Sequence, residues 1–230
     1  HRRIHYVVIG GWLDSFLNEH KWLVRLLKKF DAIYVESDMM KSSLQSRGFE
    51  NSVVMYNFKE LEPLAEDDVE YPEYEPYKIC TFSRVMKEKG IEDAIDAVES
   101  VNAHFGRTVY TLDIFGQVDD EYKERFSQLE KSFPDYISYG GAIEANKSVE
   151  TLKSYFALLF PTYYKGEGFA GTLIDAMSAG VPVIASDWKY NSEFVVPGKT
   201  GVTIENCNAE RLAEELINVA ARPLIDRING

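Results

Sequence analysis

Short apolar runs alternate with helical periodicities along most of this chain, and the alternation predicts strands and helices in turn. Ile4 to Ile9 reads as a strand ending in Gly10-Gly11. Ser15 to Lys29 reads as one amphipathic helix, with Phe16, Leu17, Trp22, Leu23, Leu26 and Leu27 on its apolar face. Ala32 to Val35 and Ser52 to Tyr56 are further short strands. Between them, Ser37-Asp38 can cap a helix running through Gln45, which Gly48 closes. Three units of this kind make half of a doubly wound domain.

The pattern becomes more regular after residue 76. Strands are expected at Tyr77–Phe82, Val109–Phe115, Ile137–Tyr139, Ala157–Phe160 and Val181–Ala185, with a last one beginning near Thr200-Gly201. Helices are expected at Ile91–Ala103, Asp119–Ser132, Ser148–Tyr155, Thr172–Ala179 and Asn208–Ala220. About six parallel strands with helices on both faces follow from the connection rule. The fold class is α/β: a Rossmann-like doubly wound parallel sheet, preceded by a partial second Rossmann-like domain. Residues 61–76 hold seven acids, three prolines and no Lys or Arg, the composition of an exposed linker. The expected units are therefore 1–60, the linker 61–76, and 77–222.

Charge narrows the choice of partners. The net charge is −12, and it is uneven: residues 1–60 hold nine Lys+Arg against seven Asp+Glu, and the remainder 16 against 30. A nucleic-acid role needs a basic stripe, which the larger part lacks. The slight basic bias of the first part could face lipid, so peripheral membrane contact is expected only there. No apolar run approaches the roughly 18 residues of a membrane helix. The start, HRRIHYVVIGG, has too short an apolar run for a signal peptide and lacks an initiator Met, which suggests a fragment or a processed form. Cys80 and Cys207 have no metal spacing and are expected as reduced thiols.

The chemistry concentrates between Phe160 and Glu193. A strand, a loop with Gly166, Gly168 and Gly171, a helix and a second strand make a βαβ unit whose helix opens on glycines. Such a helix start presents unpaired N–H groups and a positive dipole end, where phosphate fits. Glu167 and Asp175 flank it. Carboxylates repel phosphate but accept hydrogen bonds from hydroxyl pairs. A phosphate with a diol on either side describes a nucleotide sugar, the sugar at Glu167 and the ribose at Asp175. Arg84 and Lys89 follow the strand Tyr77–Phe82 and fall at its carboxyl end, where open α/β sheets bind ligands. Two cations there would stabilise a departing nucleoside diphosphate without metal. No Cys/His cluster and no Asp-x-Asp loop offers metal ligands.

These residues carry a resemblance. Glu167, Gly168, Phe169, Ala170, then Asp175, Ala176, Met177 and Gly180-Val181-Pro182-Val183-Ile184 resemble the donor signature of GT-B retaining glycosyltransferases of the family-4, or group 1, type. Asp175 stands where the family usually has Glu, and Glu193 where it carries a further Glu. Arg84 and Lys89 match its diphosphate-binding element. Phe30 to Ser37, Gly48 and Tyr56-Asn57-Phe58 are similar to the close of its N-terminal domain, which implies that the earlier part of that domain is absent. The resemblance implies retaining hexosyl transfer from a UDP- or GDP-sugar to a glycan or lipid-linked acceptor, with no cofactor, in the cytoplasm and at the inner face of the membrane. Glu167, Arg84 and Lys89 are then the catalytic residues. Phe169, Ala170, Gly171, Thr172 and Leu173 offer backbone N–H groups to the donor, Gly168 belongs to the same donor-binding loop, and Asp175 holds ribose. Gly116 borders the donor, and the turn from Tyr139 to Gly141 meets the nucleobase. His5, inside its strand, is expected at the core or edge and not in catalysis. Two other readings stay open: a donor-binding fragment or partner subunit without independent activity, and a GT-B-fold nucleotide-sugar epimerase.

Overall fold

The computed structural model describes residues 2–69, 72 and 74–221, with only the backbone of Glu66. The expected limit at residue 222 lies outside the described residues.

The first lobe has a three-stranded parallel sheet in the order β1-β2-β3, from β1 (His5–Val7), β2 (Ala32–Val35) and β3 (Ser52–Val54). Between β1 and β2 the single expected helix is two, α1 (Leu13–Glu19) and α2 (Lys21–Leu27). The break is at His20, whose backbone leaves the helical region (φ −118, ψ 58) and whose ring stacks on Phe16 at 4.2 Å. The expected apolar face divides accordingly. Leu17 and Leu27 are buried, whereas Phe16, Trp22 and Leu26 face solvent. Helix α3 (Asp38–Ser46) is capped by Ser37, whose hydroxyl accepts from Met40 N at 3.1 Å. Leu17, Ile33, Val35, Met40, Leu44 and Phe49 form this lobe's core. His5 is an exposed edge residue stacked on Tyr34.

The acidic segment after β3 makes one 3-10 turn, at Glu66–Asp68, and lies against the second lobe. Leu64 N donates to Ser178 O at 2.7 Å, and Glu75 takes both a 2.9 and a 3.0 Å hydrogen bond from Arg107.

The second lobe is a six-stranded parallel sheet. In chain order it contains β4 (Tyr77–Phe82), α4 (Ile91–Phe105), β5 (Tyr110–Phe115), α5 (Lys123–Glu130), β6 (Ile137–Gly141), α6 (Ser148–Leu152), β7 (Ala157–Phe160), α7 (Gly171–Ser178), β8 (Val183–Ser186), α8 (Asn191–Phe194), β9 (Gly201–Ile204) and α9 (Ala209–Ala221). The spatial order is β6-β5-β4-β7-β8-β9. The chain therefore starts in the middle, builds outward to β6, then returns to the other side of β4. The reversal places a crevice between the carboxyl ends of β4 and β7.

The residues explain this order. Strands β7 (ALLF) and β8 (VIAS) are buried at every position, as strands covered on both faces must be. Ile79, Leu112, Ile114 and Ile184 meet α4 and α9 on one face, while Leu158, Phe160 and Val183 meet α7 on the other. Each of these side chains stabilises the fold by about 1.5–3 kcal/mol through burial. Helix α4 extends to Phe105, past the expected end at Ala103, and Gly106 stops it in the left-handed region. The helix expected at Asp119–Ser132 begins as a 3-10 turn, Asp120–Tyr122. Cys80 lies wholly inside, and burial pushes its thiol well above the ordinary range, the Asp113 charge adding to the effect. Both cysteines are free. No helix among the described residues is long and apolar enough to cross a membrane.

Candidate active site at the switch point of the sheet

Two loops leave the sheet at the reversal. One follows β4 and carries Arg84 and Lys89; the other follows β7 and runs from Pro161 to Ala170. They touch closely: a Cβ on Gly90 (φ 69) would lie 2.2 Å from the Pro161 carbonyl oxygen. Only glycine fits there. The second loop is pinned from several sides. Tyr163 N donates to Glu88 O at 2.8 Å, Trp188 Nε1 to Tyr164 O at 2.7 Å, and Ser186 Oγ to Thr162 O.

Glu167 is thereby held with only 6% of its surface exposed. Its Oε2 accepts from Lys89 Nζ at 2.6 Å and from Thr162 Oγ1 at 2.8 Å. Lys89 Nζ also stands over the Phe160 and Tyr164 rings, 5.4 and 5.2 Å from their centroids. An ion pair this buried is expensive unless its geometry is good and its other valences are filled. Here the acid has one oxygen fully used, and Oε1 is left for an incoming donor.

Four residues further on, Gly171 opens α7, and the first-turn amides of a helix have no intrahelical acceptor. The Thr172 hydroxyl in that turn is buried and has no partner in the chain. Asp175 is the fifth residue of α7, at the start of its second turn. It is 2% exposed, and both its oxygens accept from Lys59 Nζ, at 2.6 and 2.7 Å.

The first lobe closes over this loop. Gly11 N donates to Gly166 O at 3.0 Å, and a Cβ on Gly11 would come within 2.0 Å of the Glu167 carbonyl oxygen. The strand expected to run from Ile4 to Ile9 ends at Val7, and Gly10-Gly11 form a turn beyond it that abuts the signature loop. Glu36, at the end of β2, accepts from Gly10 N at 3.0 Å and Phe169 N at 3.3 Å. Asn57 Nδ2 donates to Phe169 O at 2.9 Å. Glu193 reaches the other way: its two oxygens accept from Asp38 N and Met39 N at 2.7 and 2.9 Å, at the positive end of α3. Phe169 and Phe194 stack at 3.6 Å, with Tyr56 edge-on to Phe194. The Tyr56 hydroxyl donates to Asp38, which raises its pKa.

A pinned acid–lysine pair and an open helix end, meeting in a crevice between two α/β lobes, are suited to hold an anion beside hydroxyl groups. Comparison with known proteins agrees with that geometry. The family model described as "Glycosyl transferases group 1" matches residues 65–226. The chain belongs to this family.

Relatives of this group 1 chain include the GtfA subunit of a UDP-N-acetylglucosamine–peptide N-acetylglucosaminyltransferase from Streptococcus gordonii, 33% identical over 138 residues, or 59% of this chain and 26% of that one. A poly(glycerol-phosphate) alpha-glucosyltransferase of Bacillus subtilis is 27% identical over 146 residues, or 63% and 21%. The matched stretch thus spans about a quarter of these relatives. Among solved structures, Anabaena Alr3699/HepE in complex with UDP-glucose superposes with a TM-score of 0.78 at 17% identity, covering 99% of this chain and 65% of that one. Pneumococcal GtfA in complex with UDP and GlcNAc gives 0.76 at 20%, covering 99% and 47%. At these identities the likeness establishes the GT-B fold.

The group 1 chain arranges the sequence-predicted residues unevenly. Glu167, Lys89 and Gly168 to Thr172 come together at the crevice. Arg84 does not join them: its side chain is 61% exposed and pairs with Asp119 at 3.6 Å, so one of the two expected cations is buried at the crevice and the other lies at the surface. The five expected backbone donors are also reduced. Phe169 N is taken by Glu36 and Leu173 N by Ala170 O, while the Leu173 side chain is core. Ala170, Gly171 and Thr172 remain to present theirs. Gly116 is held by packing, its φ of 137 and position against Ser83 excluding any side chain. Tyr139 donates to Gly116 O at 2.9 Å and, with Gln117, Lys123 and Phe126, lines a cleft of about 380 Å³ beside the ends of β5 and β6. The turn residues Gly140 and Gly141 belong to β6 itself, which extends past its expected end. Among the described residues no cluster of three or more His, Cys, Asp or Glu could hold a metal.

Sequence reasoning missed Glu36, Thr162 and Lys59. Glu36 had a faint signal, an acid directly after a buried strand. Lys59 had none, because its partner is 116 positions away.

Proposed function

We propose that this chain is the donor-binding part of a retaining glycosyltransferase that moves a hexosyl group from a UDP- or GDP-sugar to a glycan or lipid-linked acceptor without metal. The observation that carries this reading is the Lys89–Glu167 pair, pinned at the switch point beside the open end of α7. Glu167 Oε1 accepts from sugar hydroxyls, and the α7 amides donate to the diphosphate oxygens. Lys89 Nζ, already neutralising Glu167, hydrogen-bonds the leaving phosphate through its remaining N–H groups, and the exposed Arg84 swings from Asp119 to the same charge. In this reading no protein nucleophile is required, and positioning and charge stabilisation supply the rate. The complexes of HepE and GtfA with UDP support a uridine donor. The reading places the protein in the cytoplasm, with any lipid contact made by its first lobe.

In the transfer reaction the product should keep the donor's anomeric configuration, read by proton NMR, and a chelator should leave the rate unchanged. An inverted product or a rate abolished by chelation and restored by a divalent cation would sink the reading. A second reading, a donor-binding subunit that needs more chain or a partner, is favoured by one observation: all three residues of β1 are exposed at a sheet edge, and Ile9 beside it is 83% exposed. The solved GtfA/B complex, 24% identical, shows the same fold in an assembly of two subunits. Turnover by this chain alone would rule that second reading out.

A further inference from the structure

Lys59 lies in the irregular segment after β3, outside every motif, yet it makes the closest contact with Asp175. Its ammonium is 2.6 and 2.7 Å from the two carboxylate oxygens, and a Cβ on Gly171 would be 3.8 Å from Nζ. The cation therefore stands beside the first residue of α7. A cation at the positive end of a helix is unfavourable on its own. A buried carboxylate one turn below an anion site is equally unfavourable, because it repels the anion. Each group removes the other's difficulty. Lys59 turns the Asp175 site from a negative centre into a neutral pair, and each carboxylate oxygen keeps a second lone pair for a hydroxyl.

We propose that Lys59 is a positioning residue of the donor site: it orients and charge-compensates Asp175, so that a ribose diol is gripped there while a diphosphate occupies the end of α7. The inference rests on the donor reading above and deepens it, since it makes ribose recognition depend on a residue from the other lobe's side of the crevice. It also distinguishes this pair from an ordinary interlobe salt bridge, which would affect stability and not the choice of ligand.

The test is calorimetric titration of the full chain with UDP, GDP and ADP and with their 2′-deoxy counterparts, using wild type, Lys59→Met, Lys59→Arg and the double variant Lys59→Met/Asp175→Asn. The wild type should prefer the ribonucleotide by about tenfold or more, the worth of a hydrogen bond to a charged acceptor. Lys59→Met should lose that preference and bind the ribonucleotide about tenfold more weakly. Lys59→Arg should keep the preference. The double variant, relieved of the unpaired acid, should fold well and still show none. Unchanged preference in Lys59→Met, even with lowered melting temperature, overturns the role of Lys59 and leaves the donor site standing. Wild-type protein that binds none of the three diphosphates overturns both.

Discussion

Replacing Lys89 by Met is expected to lower stability by about 3–5 kcal/mol, because Glu167 is left charged and unpaired inside the protein. The exposures of the two side chains, 12% and 7%, put this pair among the buried class, where losing one partner costs far more than the pair is worth. Glycosyl transfer should fall with it, by about 10²–10³-fold, the effect of removing one fixed group that stabilises transition-state charge. The two effects can be separated. In Lys89→Met/Glu167→Gln the unpaired charge is gone, and Thr162 can still hydrogen-bond the amide. Urea denaturation should then show most of the stability restored, whereas transfer should not recover. A double variant as unstable as the single one would mean that the ion pair is not what holds the loop. Full transfer by Lys89→Met would remove Lys89 from the chemistry.

The largest effect on folding alone should come from Gly116→Ala. A Cβ at this position would be 1.7 Å from the Ser83 carbonyl oxygen and 2.7 Å from its carbon, and both are backbone of the neighbouring strand's exit. Neither can swing away as a side chain could. The φ of 137 adds strain of its own for any L residue. Overpacking and strain together amount to about 4 kcal/mol, which for a chain of this size lowers the melting temperature by about 8–16 °C. Gly106→Ala supplies the comparison. Its φ is also positive, at 63, but nothing lies within 4 Å of the added methyl, so its cost should be about 1 kcal/mol. Equal losses in the two variants would show that backbone conformation, and not the close approach to Ser83, makes Gly116 necessary.

The second lobe was more legible in the sequence than the first, and the reason is physical. In a parallel sheet covered on both faces, a strand such as Ala157–Phe160 must be apolar throughout and a connecting helix such as Ile91–Phe105 must be apolar on one side. Both signals are local. The signature loop is local as well, so Glu167, Gly168 and the start of α7 were readable as one cluster before any contact was known. The helix break at His20 was not readable, since no proline or glycine marks it and the stacking on Phe16 forms only after the turn. Phe16, Trp22 and Leu26 continue the apolar periodicity onto a surface that the described residues leave exposed. Arg84 illustrates a different limit. Spacing put it at the correct strand end but could not say that its side chain would lie outward against Asp119. The links between lobes, Glu36 to Gly10 and Phe169 and Lys59 to Asp175, involve residues far apart in the chain with no shared motif. Their spacing carries no information, because only the closed fold brings them together.

The most direct test of the proposed donor site is calorimetric titration of the wild-type chain with UDP, GDP and ADP, repeated on Arg84→Ala and Glu167→Ala. One diphosphate should bind, and its affinity should fall in Arg84→Ala but hold in Glu167→Ala, which should weaken only the matching sugar nucleotide. Well-folded wild-type protein that binds no diphosphate, or a Glu167→Ala variant that binds the sugar nucleotide as tightly as wild type, would contradict a nucleotide-sugar site at the end of α7.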